Sequence, residues 1–482
     1  MGKHRKFSAS VALLALLSAC GGGGGRTGDG TVVTPPPTSS PPATPAGCSL
    51  RERQDWAAAQ LREFYLFPEL LATNVNPASY STVQDYIDAL VAPARAQNRD
   101  RGFTYITSIA QENAFYSSGA SVGFGFRLQT DAAAGRVFIA ESFENTPALN
   151  AGIDRGTEIL AIGTSTSNLR TVSSIIAAEG TGGVTAALGA GTVGLTRVLR
   201  VRDPNGTIRE VTVAKAEYEM DPISDRYGAR ILDDNGKKVG YINLRTFIGG
   251  PAEADLRAAF AQFRAQGITE VIVDLRYNGG GLVSTAVLLT NLLLGQRSAS
   301  DVQGYTVFRP ELNSNSTTFF TPQPQSISAT KIAFITTGSS ASASELVANA
   351  VLPYLGANAA LIGANTFGKP VGQIARDRAA CDDRLRVLAF ATQNASRQGD
   401  YYTGLASKFQ STCRAADDVL RPLGDPQEGS IRAALDFLAG RQCTPISSSG
   451  ATTQSLREGA GTRELLTPAN PNTIERELPG SF

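Results

Sequence analysis

The pattern of apolar and polar positions divides the chain into regions of different secondary structure. Between residues 48 and 112 apolar side chains recur about every 3.6 positions, as in DWAAAQLREFYLF, which predicts amphipathic helices. Residues 113–218 contain short apolar runs such as SVGFGFRLQT and GRVFIAESF between turn signals. We expect strands there, with a hairpin at Asn205-Gly206.

Residues 219–445 alternate between strand and helix patterns. The buried strand TEVIVDLR follows a helix pattern that ends at Gly267, and the strand KIAFITTG leads into the helix pattern SASELVANAVLPYLG. Such alternation predicts an α/β layered domain with a mostly parallel sheet. We therefore expect an α/β, multidomain protein in which this domain follows a helical N-terminal region (48–112) and a β-rich region (113–218).

The first 19 residues are typical of an export signal, with basic KHRK, apolar VALLALL and the small-residue sequence LSAC. Because LSAC ends on Cys20, it resembles the lipobox of bacterial lipoproteins, where the cysteine is lipidated; an ordinary signal peptide is the alternative. Gly21 in place of aspartate resembles an outer-membrane sorting signal. We expect an exported lipoprotein at the outer membrane, facing the periplasm or the cell surface, on a Gly/Pro-rich tether (20–47).

The composition narrows the partners. Hydrophobic residues make up 42% of the chain, charged residues 18%, and the net charge is +1, so neither general disorder nor binding to nucleic acid is expected. We expect no cofactor or metal, and membrane contact only through the lipid anchor. The C-terminal tail (446–482) is serine-rich at its start, and we expect it to pack poorly.

Besides Cys20, an even number of cysteines favours disulfides in an exported chain. The four can pair in three ways, and we prefer the pairing in which two cysteines bracket a strand-rich stretch that folds back on itself. The preferred disulfides are Cys381–Cys413 and Cys48–Cys443.

The candidate chemistry is limited by the scarcity of histidine. His4 is the one histidine of the sequence and lies in the export signal, so a serine nucleophile needs another base. Ser342 lies where a predicted strand ends and a helix begins, a position at which helix N–H groups stabilise an anion. Lys369 follows in a glycine-containing loop; burial lowers a lysine pKa and lets the amine act as base. Gln373 can orient that amine without adding negative charge.

Backbone N–H groups complete the predicted site. We expect the oxyanion to be bound by Ala343, directly after the serine, and by Gly280 with Gly281 in the loop of DLRYNGGG. Residues NTPALNAGIDRGTEILAIGT resemble part of a PDZ domain. That resemblance implies a loop, Val122-Gly123-Phe124-Gly125-Phe126, which binds a C-terminal carboxylate. It therefore also implies polypeptide partners with free apolar C-termini. A hairpin whose glycines merely permit the turn is the alternative.

The motifs GSSASASE and GANTFGKPVGQ, with DLRYNGGG and the PDZ-like stretch before them, together resemble the C-terminal-processing peptidases. In that family the corresponding residues are nucleophile, general base and orienting amide, which implies these roles for Ser342, Lys369 and Gln373. Two departures exist: the family's common NPGG is Asn278-Gly279-Gly280-Gly281 here, and the segment around LPYLGANAA is slightly longer.

Three other interpretations compete with this one. The serines near residue 342 and Glu345 can form a helix cap rather than a catalytic site. Ser328-Ala329-Thr330-Lys331 matches an SxxK motif, but it precedes a strand and lacks its partner motifs, so we reject it. The chain is predicted to be a Ser-Lys endopeptidase, and the alternative is an inactive lipoprotein that binds protein tails or an apolar ligand.

Overall fold

The structure is a computed structural model that describes residues 45–248, 250–446, 463–468 and 471–482. The predicted export signal, Cys20 and most of the tether lie outside the described residues. None of the described helices is both long and apolar enough to span a membrane.

The N-terminal region is helical, as its apolar spacing predicts. Ser49 starts the first helix by accepting a hydrogen bond from the N–H of Glu52, whose carboxylate binds the N–H of Ser49 in return. The apolar face of this helix packs against Leu385 and Leu388 of the α/β domain. The elements of the region are α1 (Leu50–Phe64), α2 (Val83–Leu90), α3 (Ala92–Ala96), β1 (Tyr105–Ser108) and α4 (Ile109–Ser118).

The β-rich region folds around an antiparallel sheet in which β3, β4, β5, β7 and β8 are neighbours in that order and β6 pairs with β5. Alternate side chains of these strands form one apolar core with Ile175 and Val184. Separately, β2 pairs with β9. The elements are β2 (Ala120–Gly123), β3 (Phe126–Asp131), β4 (Arg136–Ser142), α5 (Pro147–Asn150), β5 (Glu158–Gly163), β6 (Arg170–Thr171), α6 (Val172–Leu188), β7 (Thr196–Arg202), β8 (Ile208–Ala214) and β9 (Ala216–Glu219).

The α/β domain contains the remaining strands and helices up to residue 438. These are β10 (Ala229–Asp234), β11 (Lys237–Asn243), α7 (Ala252–Ala265), β12 (Glu270–Asp274), α8 (Val283–Leu293), β13 (Val302–Phe308), β14 (Ser316–Phe319), β15 (Lys331–Thr336), α9 (Ala343–Leu355), β16 (Ala359–Gly363), β17 (Val371–Arg378), β18 (Asp383–Asn394), β19 (Ser411–Arg414) and α10 (Gly429–Leu438).

Two sheets of this domain position the candidate residues. The first has the order β10-β11-β12-β15-β16-β19 and is parallel except for β10. Helices α7, α8 and α9 contribute to the core on one face, and α10 contributes to the core on the other. The second sheet is antiparallel and contains β1, β18, β13, β14 and β17. The mixed α/β fold class predicted from the sequence is therefore confirmed.

The predicted disulfide pairing is wrong. The structure joins Cys48 to Cys381 and Cys413 to Cys443, with Cα–Cα distances of 5.5 and 5.4 Å. Cys381 lies beside β18, against which α1 packs, so it meets the cysteine just before α1. Cys413 belongs to β19 of the other sheet, where it meets the chain leaving α10.

The prediction of a poorly packed tail is also wrong for its described parts. Residues Arg463–Leu465 form β20, which pairs with β3, and Thr473–Glu477 form the short helix α11. Leu478 is fully buried among Phe115, Phe143 and other apolar side chains. Packing of this segment depends on surfaces formed elsewhere in the chain, which the serine-rich composition near residue 446 does not reveal.

Candidate active site

Ser342 lies on the turn between β15 and α9, directly before the first helical residue. Its backbone is left-handed, with φ of 55°, a conformation that a non-glycine residue adopts only when its surroundings enforce it. Ser340 Oγ donates to the carbonyl of Leu275 at 2.7 Å, and the N–H of Ala341 donates to the carbonyl of Asn278 at 3.0 Å. The turn is thus attached to the loop that follows β12.

That loop contains the predicted oxyanion donors. Gly280 and Gly281 have φ of 123° and 133°, values that side chains rarely permit. A Cβ on Gly280 would lie 2.8 Å from the Cβ of Ser342, so glycine allows the loop to approach the serine. The N–H of Gly280 donates to Oδ1 of Asn278 at 2.9 Å. The structure therefore brings Gly280, Ser342 and Ala343 together, with the Gly280 donor engaged internally.

Glu345 connects the serine turn to the lysine loop. Its Oε2 accepts from the N–H of Ser342 at 3.0 Å and from the N–H of Lys369 at 2.7 Å. Its Oε1 accepts from the N–H of Gly368 at 2.7 Å and from Thr366 Oγ1 at 2.6 Å. Burial raises the pKa of this carboxyl, and these hydrogen bonds oppose the shift. Glu345 thus positions both candidate residues. The sequence indicated only that Glu345 can cap the helix, and not that it also contacts the lysine loop.

Lys369 lies on the connection from β16 to β17, and Gln373 lies on β17. Lys369 Nζ donates to Gln373 Oε1 at 3.2 Å and lies 5.1 Å from the centre of the Phe103 ring. Gln373 Nε2 donates to the carbonyl of Phe103, which fixes the amide orientation. Burial lowers the pKa of Lys369 below its ordinary value of 10.5, while the negative charge of Glu477 acts in the opposite direction. The surroundings therefore favour a neutral amine, as a base requires.

The cleft at this site has a volume of ≈ 220 Å³, and its walls include Gly279, Ala341, Lys369 and Gln373. Ala341, the residue before Ser342, lines the cleft, whereas Ser342 is not part of its wall. Among the contacts of the described residues, no hydrogen bond joins Ser342 Oγ to Lys369 Nζ. Part of the wall comes from the C-terminal tail, including Arg476 and Glu477. Sequence reasoning missed this contribution, because no local motif marks it.

The loop from Val122 to Phe126 lies in the β-rich region, where Val122 and Gly123 end β2 and Phe126 begins β3. Phe124 is fully buried in the apolar core. Gly125 has φ of 84°, and a Cβ there would lie 2.2 Å from the Cβ of Thr146. The N–H groups of Gly125 and Phe126 donate to an oxygen of Phe482 at 2.9 and 3.4 Å. The loop thus presents backbone donors, and Phe482 of this chain accepts hydrogen bonds from two of them.

The rival SxxK motif lies away from this cleft. Lys331 begins β15, and its Nζ donates to the carbonyl of Leu438 at the end of α10. Within the described ranges, no group of His, Cys, Asp and Glu side chains is arranged to hold a metal ion.

Comparison with known proteins gives the family. Residues 238–398 match the model of Peptidase family S41. A carboxyl-terminal-processing protease of Picosynechococcus sp. is 28% identical over 336 residues, which cover 68% of this chain and 72% of that protein. A chloroplastic carboxyl-terminal-processing peptidase of Arabidopsis thaliana is 26% identical over 298 residues, which cover 61% of this chain and about half (51%) of that protein.

The crystal structure of an S41 protease from Bacteroides fragilis has the same fold, with a TM-score of 0.59, 23% identity, and coverage of 80% of this chain and 97% of that chain. The matched residues 238–398 include the serine turn, the glycine loop and the lysine loop described above. Residues 238–398 of this chain therefore form a Peptidase family S41 domain, and the chain is a serine-type peptidase similar to the carboxyl-terminal-processing proteases.

Proposed function

We propose that the protein is an endopeptidase that cleaves unstructured or C-terminal regions of exported polypeptides, with Ser342 as nucleophile and Lys369 as general base. The observation that carries this proposal is the arrangement around Glu345, whose carboxylate binds the backbones of both residues. A neutral amide, Gln373, is the hydrogen-bond partner of the lysine amine. A carboxylate in that place would instead raise the lysine pKa and keep the base protonated.

The reaction follows from these positions. Neutral Lys369 takes the proton from Ser342 Oγ as that oxygen attacks the scissile carbonyl carbon. The N–H of Ala343, with those of the glycine loop, stabilises the resulting oxyanion; the N–H of Gly280 must first leave Asn278 Oδ1. The lysine ammonium then gives its proton to the departing amine, and water activated by the same amine hydrolyses the acyl-enzyme ester.

Substrate capture is proposed at the Val122–Phe126 loop. Its N–H groups can bind a free terminal carboxylate, and the adjacent edge of β3 can pair with an extended polypeptide. The export signal predicted from residues 1–19 supports exported proteins as the substrates. This proposed capture site is separate from the Ser-Lys chemistry.

The catalytic proposal is tested with Ser342→Ala, Lys369→Ala and the double variant acting on an unfolded test protein. Loss of the base should reduce kcat/KM by about 10²–10⁴-fold, and the double variant should be no worse than either single variant. Lys331→Ala is the matched control, because it removes a lysine of the rejected motif, and it should retain activity.

Cleavage that persists in the Lys369→Ala protein would contradict the mechanism. An unmodified protein that binds the test protein without cleaving it would favour the alternative, a non-catalytic binding lipoprotein.

A further inference from the structure

The last described residues pair with the edge of β3 that faces away from β4. Strand β20 pairs antiparallel with the second half of β3, from Gln129 to Asp131. The first half of the same edge pairs with the end of the chain: the N–H of Leu128 donates to the carbonyl of Gly480, and that of Phe482 to the carbonyl of Phe126, both at 2.9 Å. While the segment stays bound, it therefore occupies the positions along this edge at which an incoming polypeptide would pair.

Between these two paired stretches the chain leaves the strand and enters the active-site cleft. We call residues 463–468 and 471–482 the C-terminal segment. Its helix α11 lies over the glycine loop, where the N–H of Gly279 donates to the carbonyl of Glu477 at 3.2 Å. Arg476 Nη1 donates to the carbonyl of Gly102 at 2.5 Å, and Leu478 is fully buried. The segment is thus anchored on both sides of the cleft.

Gly279 packs directly against the backbone of this segment. The three atoms nearest to a Cβ at this position all belong to the segment: the carbonyl oxygen of Arg476 at 2.3 Å, and the carbonyl oxygen and carbon of Glu477 at 2.9 and 3.0 Å. Its φ does not lie in the left-handed range that favours glycine. The backbone of Gly279 would therefore accept a side chain, and it is the bound segment that excludes one.

The segment also acts on the base. Glu477 is buried, and its Oε2 has no hydrogen-bond partner among the described residues. Its negative charge is the largest influence that opposes the lowering of the Lys369 pKa by burial. Lys369 in turn stabilises the charged form of Glu477, whose own pKa is raised by burial. The bound segment thus fills the cleft and places one carboxylate, Glu477, near the lysine amine.

We propose that the C-terminal segment is an intramolecular inhibitor that blocks the polypeptide-binding edge and the active-site cleft together. A polypeptide that pairs with β3 must displace residues 480–482, which draws α11 out of the cleft. Occupancy of the edge by substrate therefore activates the enzyme. This inference rests on the proposed Ser-Lys peptidase function, although binding of the segment can be measured without it.

The test compares the full mature chain with a chain that ends at residue 462. At an effective concentration of about 1 mM, an attached segment whose peptide has a Kd of about 100 µM lowers activity roughly tenfold. The shortened chain should therefore cleave an unfolded test protein at least about ten times faster. A synthetic peptide of residues 463–482 should bind the shortened chain in a fluorescence anisotropy assay and restore inhibition. The same peptide carrying Leu478→Asp should do neither, because it places a charge where an apolar side chain is buried.

A second variant keeps the test independent of how well the shortened chain folds. Gly279→Ala in the full chain should expel the segment by direct overlap and raise the cleavage rate. Gly182→Ala is the matched control, since an added Cβ at this exposed position has no atom within 4 Å, and it should leave the rate unchanged. An added protease should also trim the segment faster in Gly279→Ala than in the unmodified chain. This readout does not depend on Ser342.

The outcomes separate the two proposals. Equal cleavage by the full chain, the shortened chain and Gly279→Ala would overturn the inhibitor while leaving the Ser-Lys function intact. If none of them cleaved the test protein but the peptide bound tightly, the binding site of the segment would be supported and the catalytic proposal would be refuted. A full chain that removes its own segment by cutting after Glu477, detected by mass spectrometry, would show a substrate rather than an inhibitor.

Discussion

The catalytic loops and the C-terminal segment meet in the same cleft but are held in different ways. The backbone N–H groups of Ser342 and Lys369 both donate to one carboxylate, that of Glu345, which lies in the same domain. The C-terminal segment is bound by N–H groups of Gly279 and Gly125, which belong to different regions of the chain. The difference indicates that the segment can leave without breaking the contacts of Glu345 to the serine and lysine loops, whereas loss of Glu345 would disturb both of these loops at once.

Of the substitutions that test this difference, Glu345→Gln should have the largest effect on the cleavage rate. The amide retains one acceptor oxygen, but its NH₂ group faces N–H donors that the carboxylate had satisfied. A displacement of reacting groups by about 1 Å costs roughly 10²-fold in rate, and we expect a loss of that size in kcat with a smaller change in KM. Peptide binding to the shortened chain should be unchanged.

Glu311→Gln, an exposed substitution of the same kind, is the control for Glu345→Gln and should retain full kcat. If Glu345→Gln lowered KM and kcat by equal small factors or left both unchanged, the carboxylate would not be the residue that positions Ser342 and Lys369.

A smaller effect is expected on the pH dependence. A base must be neutral, so kcat/KM should rise with pH and level off at the pKa of Lys369, below the ordinary 10.5. Below that pKa the rate falls about tenfold per pH unit. Because the charge of Glu477 raises this pKa, Glu477→Gln in the full chain should move the rising limb to lower pH by less than about one unit.

Glu475→Gln, on the same short helix, is the comparison for Glu477→Gln, because Glu475 is not among the main influences on the Lys369 pKa. Asp100 and Glu345 also raise the pKa of Lys369 and Arg476 lowers it, so these groups must stay unchanged in the series. A rising limb that moves to higher pH in Glu477→Gln would contradict the electrostatic role of Glu477.

Much of the fold follows from local patterns, and this explains which predictions succeeded. The strand before residue 337 and the helix after Ser342 have clear apolar periodicity, so their junction was visible in the sequence. The α/β class followed from the alternation of such elements. The disulfide pairing failed because it depends on which sheet each strand joins: Cys381 lies beside one sheet and Cys413 within the other.

The C-terminal segment shows a different limit of sequence reasoning. Helix α11 has five residues, and β20 has three, so neither carries a periodic signal that would predict its place. Their positions depend on contacts such as the one between Gly279 and Glu477, which are distant in sequence. The substitution of glycine for the proline common in the family at position 279 was the one local trace, and its meaning becomes clear only in the folded chain.

The distance between Ser342 Oγ and Lys369 Nζ in a crystal structure of the chain ending at residue 462 tests most directly whether these residues act as a pair. With the C-terminal segment gone, we expect the two atoms to lie within hydrogen-bond reach, about 3 Å apart, while Gln373 Oε1 still accepts from the amine. Nζ held more than about 4 Å from Oγ and bonded to another group, in a chain that cleaves the test protein, would contradict the Ser-Lys pair.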